Sequence, residues 1–149
     1  MTASLHLAGP DDTDRVMSLV RSHHADAALE LSEEMRRDGV EPLLAGSALG
    51  AIYLVGPRSA PAGYIALTFS WSIAHGGMTA TIDEFFMRPP VRGRGLGSEA
   101  LTALRPVLVE VGLRALYLDL RLPTDRAQSL AGKWGFHTEH DTERLIWTP

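Results

Sequence analysis

No cysteine occurs among the 149 residues, which excludes disulfides, thiolate zinc sites and a cysteine nucleophile; a covalent acyl intermediate would need another side chain. Lysine is almost missing too. Lys133 stands alone, and with a formal net charge of −4 the chain lacks the basic surplus that nonspecific nucleic-acid binding draws on, so no nucleic-acid partner is expected. No long hydrophobic run is present: residues 43–56 are the longest nearly apolar stretch, broken at Ser47 and too short to cross a bilayer. Met1 to His6 carries no basic n-region, and the expectation is a cytoplasmic protein without membrane contact. Repeats, linkers and low-complexity tracts are also lacking, so residues 1–149 are expected to form one domain. A composition 45% hydrophobic and 21% charged is enough for a core without staples.

What the chain does contain is regular punctuation. Ser4 to Leu7 reads as a short strand closed by Gly9-Pro10. Asp11 then offers an N-cap, with Asp14 three residues on, ahead of a helical face at Val16, Leu19, Val20 and His23. A second helix is expected from about Ala27 to Asp38 with Gly39 as its stop, and residues 40–47 read as a further helical turn or a loop. Ala51 to Val55 and Gly63 to Trp71 read as an antiparallel pair; His75-Gly76-Gly77 turns a second hairpin into a fourth strand, Thr79 to Met87, which Pro89-Pro90 ends. Leu101, Leu104, Leu108 and Val111 make a helical stripe that stops at Gly112. A strand from Ala115 to Leu120 follows. A fourth helix from Thr124 would bury Ala127, Leu130 and Ala131 and stop at Gly135, and Phe136 to Thr148 would hold a closing strand pair with Arg144 to Trp147 its clearest member.

Between the fourth strand and the third helix lies Arg92-Gly93-Arg94-Gly95-Leu96-Gly97. Its glycines let the backbone turn with N–H groups converging, the helix behind adds unpaired donors and a positive dipole end, and two arginines add charge: a setting for a diphosphate. The dinucleotide fingerprint is excluded because Ser98 stands where glycine or alanine is needed, and no GK[ST] follows to make a triphosphate loop. Read as Arg92-x-x-Gly95-x-Gly97, the segment resembles the R/Q-x-x-G-x-G/A pyrophosphate loop of the GNAT superfamily of acyl-coenzyme A N-acyltransferases. The stretch from Asp83 to Glu99 is similar in particular to that of the diamine acetyltransferases and small bacterial acetyltransferases; Gly63 to Trp71 and Lys133-Trp134-Gly135-Phe136 also fit the superfamily.

That resemblance implies an α/β fold of the α+β three-layer sandwich type, with a mixed, mostly antiparallel sheet splayed between strands four and five. It implies acetyl-CoA (acetyl-coenzyme A) as co-substrate and a primary amine as acceptor, attacking directly in a ternary complex; a small diamine-like or other cationic acceptor is the first reading. Backbone groups of Phe85, Phe86 and Met87 would hold the acetyl and pantetheine portion, and Arg92, Gly93, Arg94, Gly95, Leu96, Gly97 and Ser98 the diphosphate. Thr124 replaces an asparagine that contacts pantetheine in relatives. Ala131 replaces a helix-four tyrosine that protonates the departing thiolate in many members, and an alanine cannot donate a proton. Two rivals follow: a protein N-terminal or lysine acetyltransferase, and a noncatalytic coenzyme A sensor, which Ala131 favours.

The chemistry needs a neutral amine. With a lysine-like pKa of about 10.4, roughly one molecule in 2,500 is neutral at pH 7, a deficit of about 4.6 kcal/mol, so a positioned proton acceptor is valuable. Asp83 and Glu84 on the fourth strand are candidates for base or ammonium anchor, and alternation sends only one of them to the cleft unless a bulge re-aims both. Asp119 on the fifth strand matches an acidic position used by some N-terminal-amine acetyltransferases. His23, His24 and Glu30 from the first helices and Trp71 and Ser72 from the hairpin are candidates to line the acceptor cleft, Trp71 by cation–π stacking. His23, His24 and His75 show no recurring ligand spacing, so no metal is expected. Leu145-Ile146-Trp147 is an apolar segment through which two copies can pair as a homodimer.

Overall fold

The computed structural model describes residues 3–119, 129 and 131–149. The chain divides into two compact units, Met1–Asp119 and Leu120–Pro149. In the first, β1 (Leu5–Leu7), β2 (Gly50–Val55), β3 (Gly63–Ser72), β4 (Gly77–Met87) and β5 (Ala115–Leu118) form one sheet in that order. Neighbours from β1 to β4 run antiparallel and β5 runs parallel to β4, which is the mixed, mostly antiparallel sheet expected.

Strand alternation divides the core into two layers. Ile52, Leu54, Tyr64, Ala66 and Phe86 pack with Val16, Met17, Leu19 and Val20 of α1 (Thr13–Asp26) and Val40 and Leu44 of α2 (Glu33–Leu44). Ile65, Leu67 and Ile82 have the opposite parity and are buried, as are Ala100, Leu101, Leu104 and Leu108 of α3 (Leu96–Glu110). Val111, expected to extend that stripe, lies one residue past the helix and is 61% exposed.

Asp12 sets the start of α1, where Asp11 was expected. Its carboxylate, 1% exposed, accepts the Gly9 N–H at 3.0 Å and Arg58 Nη2 at 2.9 Å, with Arg15 Nη1 at 3.3 Å. The hydrogen bond from Arg58, followed by that from Gly9, lowers its pKa from 3.8 to about 2 against the opposing effect of burial. A depressed carboxylate stabilises the fold fully above its unfolded value and loses that contribution as the pH falls through the folded one. Acid unfolding followed by circular dichroism should therefore show stability falling between about pH 4 and pH 2. Asp12→Asn should flatten that dependence and cost about 2 kcal/mol at pH 7, the worth of a charged hydrogen bond.

The second helix begins later than expected and takes the further turn left open for residues 40–47, past the expected stop at Gly39. Ser32 caps it, its Oγ accepting the Met35 N–H at 3.1 Å, and it runs through Gly39 and Pro42 to Leu44. A mid-helix glycine costs about 1 kcal/mol and a proline about 3, whereas burying Val40 and Leu44 returns about 1.5–3 kcal/mol each. Tertiary burial carries the helix past its local stop signals.

In the second unit, 129 and 131–133 are helical and Gly135 adopts φ +80, the left-handed conformation of a helix stop. The expected helix start at Thr124, with Ala127 and Leu130, lies outside the described residues, as does Leu120. Residues 136–149 contain no strand, which corrects the expected closing pair. A strand exists only through a paired neighbour, and Leu145, Ile146 and Trp147 are all exposed, so no buried face selects a register there.

Candidate active site

Where β3 meets β4, Ala66 lies opposite Glu84 and Leu67 opposite Ile82, which leaves Asp83 as the extra residue of a β-bulge. The bulge reverses the alternation. Ile82 shares a face with Leu67, and Glu84, two residues on, shares the opposite face with Ala66, beneath α1 and α2. An unbulged strand would have put Glu84 on the face of Ile82.

There Glu84 is half-buried and held at both oxygens. Oε1 accepts the Tyr64 hydroxyl at 2.9 Å, and Oε2 lies 2.6 Å from His24 Nε2 and 3.9 Å from His23 Nε2. Arg36 Nε of α2 donates to His24 Nδ1 at 3.3 Å, so Nδ1 is an acceptor and the His24 proton sits on Nε2, directed at Glu84. Tyr64 is fully buried; that burial, then the negative charge of Glu84 and the hydrogen bond to it, push its hydroxyl far above the usual range. It therefore stays a donor. The charge of Asp83, itself exposed, acts on Tyr64 in the same direction.

The two histidines occupy the last turn of α1, closed by a Schellman motif: Ala28 N–H bonds to the Ala25 carbonyl at 3.2 Å and Leu29 N–H to the His24 carbonyl at 2.8 Å. The motif places Ala28 at φ 54, a left-handed strain of about 1–2 kcal/mol for a residue with a side chain. The His23 ring lies 5.3 Å from Phe86 and 6.0 Å from Tyr64, edge-on to the tyrosine. Burial pulls its pKa below the ordinary 6.5, while Glu84 opposes the shift.

Downstream, β4 keeps β3 beside it to Met87, but its register with β5 ends at Ile82 opposite Leu118. Among the described residues, Asp83 to Met87 thus have no partner on β5. Gly93 and Gly95 take φ +77 and +80, and α3 begins at Leu96. The first helical hydrogen bond runs from Glu99 N–H to the Gly95 carbonyl at 3.0 Å, so the amides of Leu96 and Gly97 have no acceptor inside the helix. Gly97 packs against Phe85, whose Cζ would stand 3.2 Å from an added Cβ. Arg94 is exposed. Arg92 is engaged elsewhere: Nη2 bonds Asp26 at 2.8 Å, Nε donates to the Met87 carbonyl at 2.9 Å, and the guanidinium lies 5.4 Å from the Phe86 ring centre.

Of the residues expected at the acceptor cleft, the fold brings His23 and His24 to Glu84. Glu30 is exposed between α1 and α2. Trp71 and Ser72 pair with Met78 and Gly77 at the other end of the hairpin, five and six strand residues from Ala66 and so roughly 17–20 Å along it. Asp119 is exposed one residue past β5, and Thr124 lies outside the described residues. Sequence reading did not single out Tyr64, Arg36 or Asp26. For Tyr64 a signal existed: a tyrosine two residues before Ala66 on the strand opposite a carboxylate.

The sequence profile of the acetyltransferase (GNAT) family matches residues 17–136. No curated protein matches the sequence. Among solved structures, an integron cassette protein from the mobile metagenome of Cole Harbour Salt Marsh is 27% identical, with a TM-score of 0.83 over 97% of this chain and 89% of its own. AAC(6')-Iy in complex with the bisubstrate analogue CoA-S-monomethyl-acetylneamine is 14% identical, with a TM-score of 0.77 over 100% and 98%. A ribosomal-protein-alanine N-acetyltransferase from Brucella melitensis biovar Abortus 2308 is 14% identical, with a TM-score of 0.75 over 98% and 99%. At that identity the last two show a shared fold.

Proposed function

Since this chain belongs to the acetyltransferase (GNAT) family, and is thus an N-acetyltransferase, we propose that it acetylates a small cationic amine from acetyl-coenzyme A in a ternary complex. The observation that carries this reading is Glu84, a carboxylate turned by a bulge onto the α1–α2 face and held by Tyr64 and His24, on the strand that leads into the glycine loop. Asp83, exposed and next to it on β4, adds negative charge that also acts on Tyr64 and suits a cation. The match of the family profile over residues 17–136 supports treating the whole chain as one catalytic domain.

The residues present fit the coenzyme. An added Cβ at Gly93 or Gly95 would meet nothing within 4 Å, so both backbones are open to a ligand beside the first-turn amides of α3. Leu96, Gly97, Ser98 and Arg94 would hold the diphosphate. Phe85, Phe86 and Met87, past the last described pair of β4 with β5, offer backbone groups to the acyl arm. Acetyl-coenzyme A supplies the thioester carbonyl; the chain supplies position, an anchoring carboxylate and a route for the proton. Ala131 offers no acid, and a thiolate whose conjugate acid has a pKa of about 8.5 leaves without a strong one.

The test is free-thiol release from acetyl-coenzyme A with 1,4-diaminobutane and with spermidine as acceptors. Acceptor-dependent release is expected. Release with an alanine-terminated peptide and with neither amine would move the acceptor class to protein N-termini.

A further inference from the structure

We propose that His23 is the catalytic base of this acetyltransferase, taking a proton from the acceptor's ammonium group while Glu84 anchors its charge. The inference rests on the amine-acetylation reading above. Three observations converge. Glu84 Oε2 already accepts from His24, and Tyr64 occupies the other oxygen, so the carboxylate is committed to holding position. Among the described residues the His23 ring nitrogens make no hydrogen bond, although the side chain is 20% exposed and so reachable. Finally, His23 Nε2 stands 3.9 Å from Glu84 Oε2, a gap that one nitrogen with two N–H groups bridges at normal hydrogen-bond lengths of about 2.8 Å.

The ring is also close to the glycine loop. It lies 5.3 Å from Phe86, tilted by 43°, and the guanidinium of Arg92 lies over that same Phe86 ring, its charge acting on His23. Glu84 on β4, His24 and Asp26 on α1, Arg92 from the loop, Tyr64 on β3 and, through His24, Arg36 on α2 surround it. Burial keeps the imidazole neutral at pH 7, and the adjacent carboxylate stabilises the imidazolium once the proton arrives.

The balance closes. The ammonium gives one proton to His23; the freed nitrogen pair forms the C–N bond as the C–S bond breaks; the second proton leaves nitrogen and ends on the thiolate, and His23 returns its proton to solvent.

The experiment combines steady-state kinetics on 1,4-diaminobutane with NMR titration of the imidazole C–H signals. Wild-type kcat/KM should fall on an acid limb with a midpoint below 6.5, and His23→Gln should lose that limb and about 100-fold in kcat, with KM within about threefold. His23→Ala, should it fold, should regain activity with added imidazole. The His23 signal should titrate below 6.5 without coenzyme and move lower still in Glu84→Gln. His23→Gln turning over at the wild-type rate with its acid limb intact, or a His23 signal that titrates above 7, overturns the assignment and leaves amine acetylation standing. A wild type that releases no thiol with any amine overturns both.

Discussion

Gly95→Val should abolish most acetyl-coenzyme A binding, raising Kd by roughly 30- to 1,000-fold in isothermal titration, the equivalent of about 2–4 kcal/mol from one or two charge-assisted hydrogen bonds. Gly95 holds φ +80 as the residue before α3, and an added Cβ there meets no protein atom within 4 Å. The site is therefore not a packing position, and on the proposed coenzyme reading a side chain there would compete with the diphosphate. Backbone strain also contributes, because a β-branched residue in the left-handed region costs more than the usual 1–2 kcal/mol or so. Gly95→Asn separates the two effects. Asparagine tolerates the left-handed region, so the asparagine variant should keep close to wild-type thermal stability and still bind weakly. If the valine variant bound acetyl-coenzyme A as tightly as wild type, the loop would be only a tight strand-to-helix turn, and the donor site would have to lie elsewhere.

That loop was legible because its signal is local: glycines, a following apolar stripe and a preceding strand are read directly from consecutive residues, and Leu101, Leu104 and Leu108 are buried as their spacing requires. The hairpin strands were legible for the same reason. What was not legible depends on partners distant in sequence. The extra residue at Asp83 exists only relative to β3, so strand parity alone left Asp83 and Glu84 equivalent where pairing separates them into an exposed and a half-buried carboxylate. The second helix ignored Gly39 because Val40 and Leu44 had a sheet to cover. Trp71 showed the right chemistry for a cation but could not reveal its distance from Glu84 along the strand. Arg36 lay within the expected helix, but its contact with His24 joins two helices and no local pattern announces it.

Glu84→Gln should lower kcat/KM for 1,4-diaminobutane by roughly 30- to 150-fold, about 2–3 kcal/mol, with most of the loss in KM. Glutamine is the informative replacement because its carbonyl oxygen can still accept from Tyr64, whose buried hydroxyl would otherwise lose its partner at a cost of about 1–3 kcal/mol. Its amide nitrogen, however, meets the proton that His24 directs at Oε2, so the fit there becomes donor against donor. Thermal stability should therefore drop modestly in Glu84→Gln and further in Glu84→Ala, which orphans both partners. The kinetic split is the sharper readout. An anchor acts on the ground-state ammonium as much as on the transition state, so its removal appears in KM, whereas loss of a direct base appears in kcat. Asp83→Asn, on an exposed carboxylate, should change kcat/KM by less than about fivefold, in line with the 0–1 kcal/mol or so of solvent-screened charges. Should Asp83→Asn prove the more damaging of the two, the bulge would be presenting the other carboxylate to the amine, and the role given to the Tyr64–Glu84–His24 cluster would be structural.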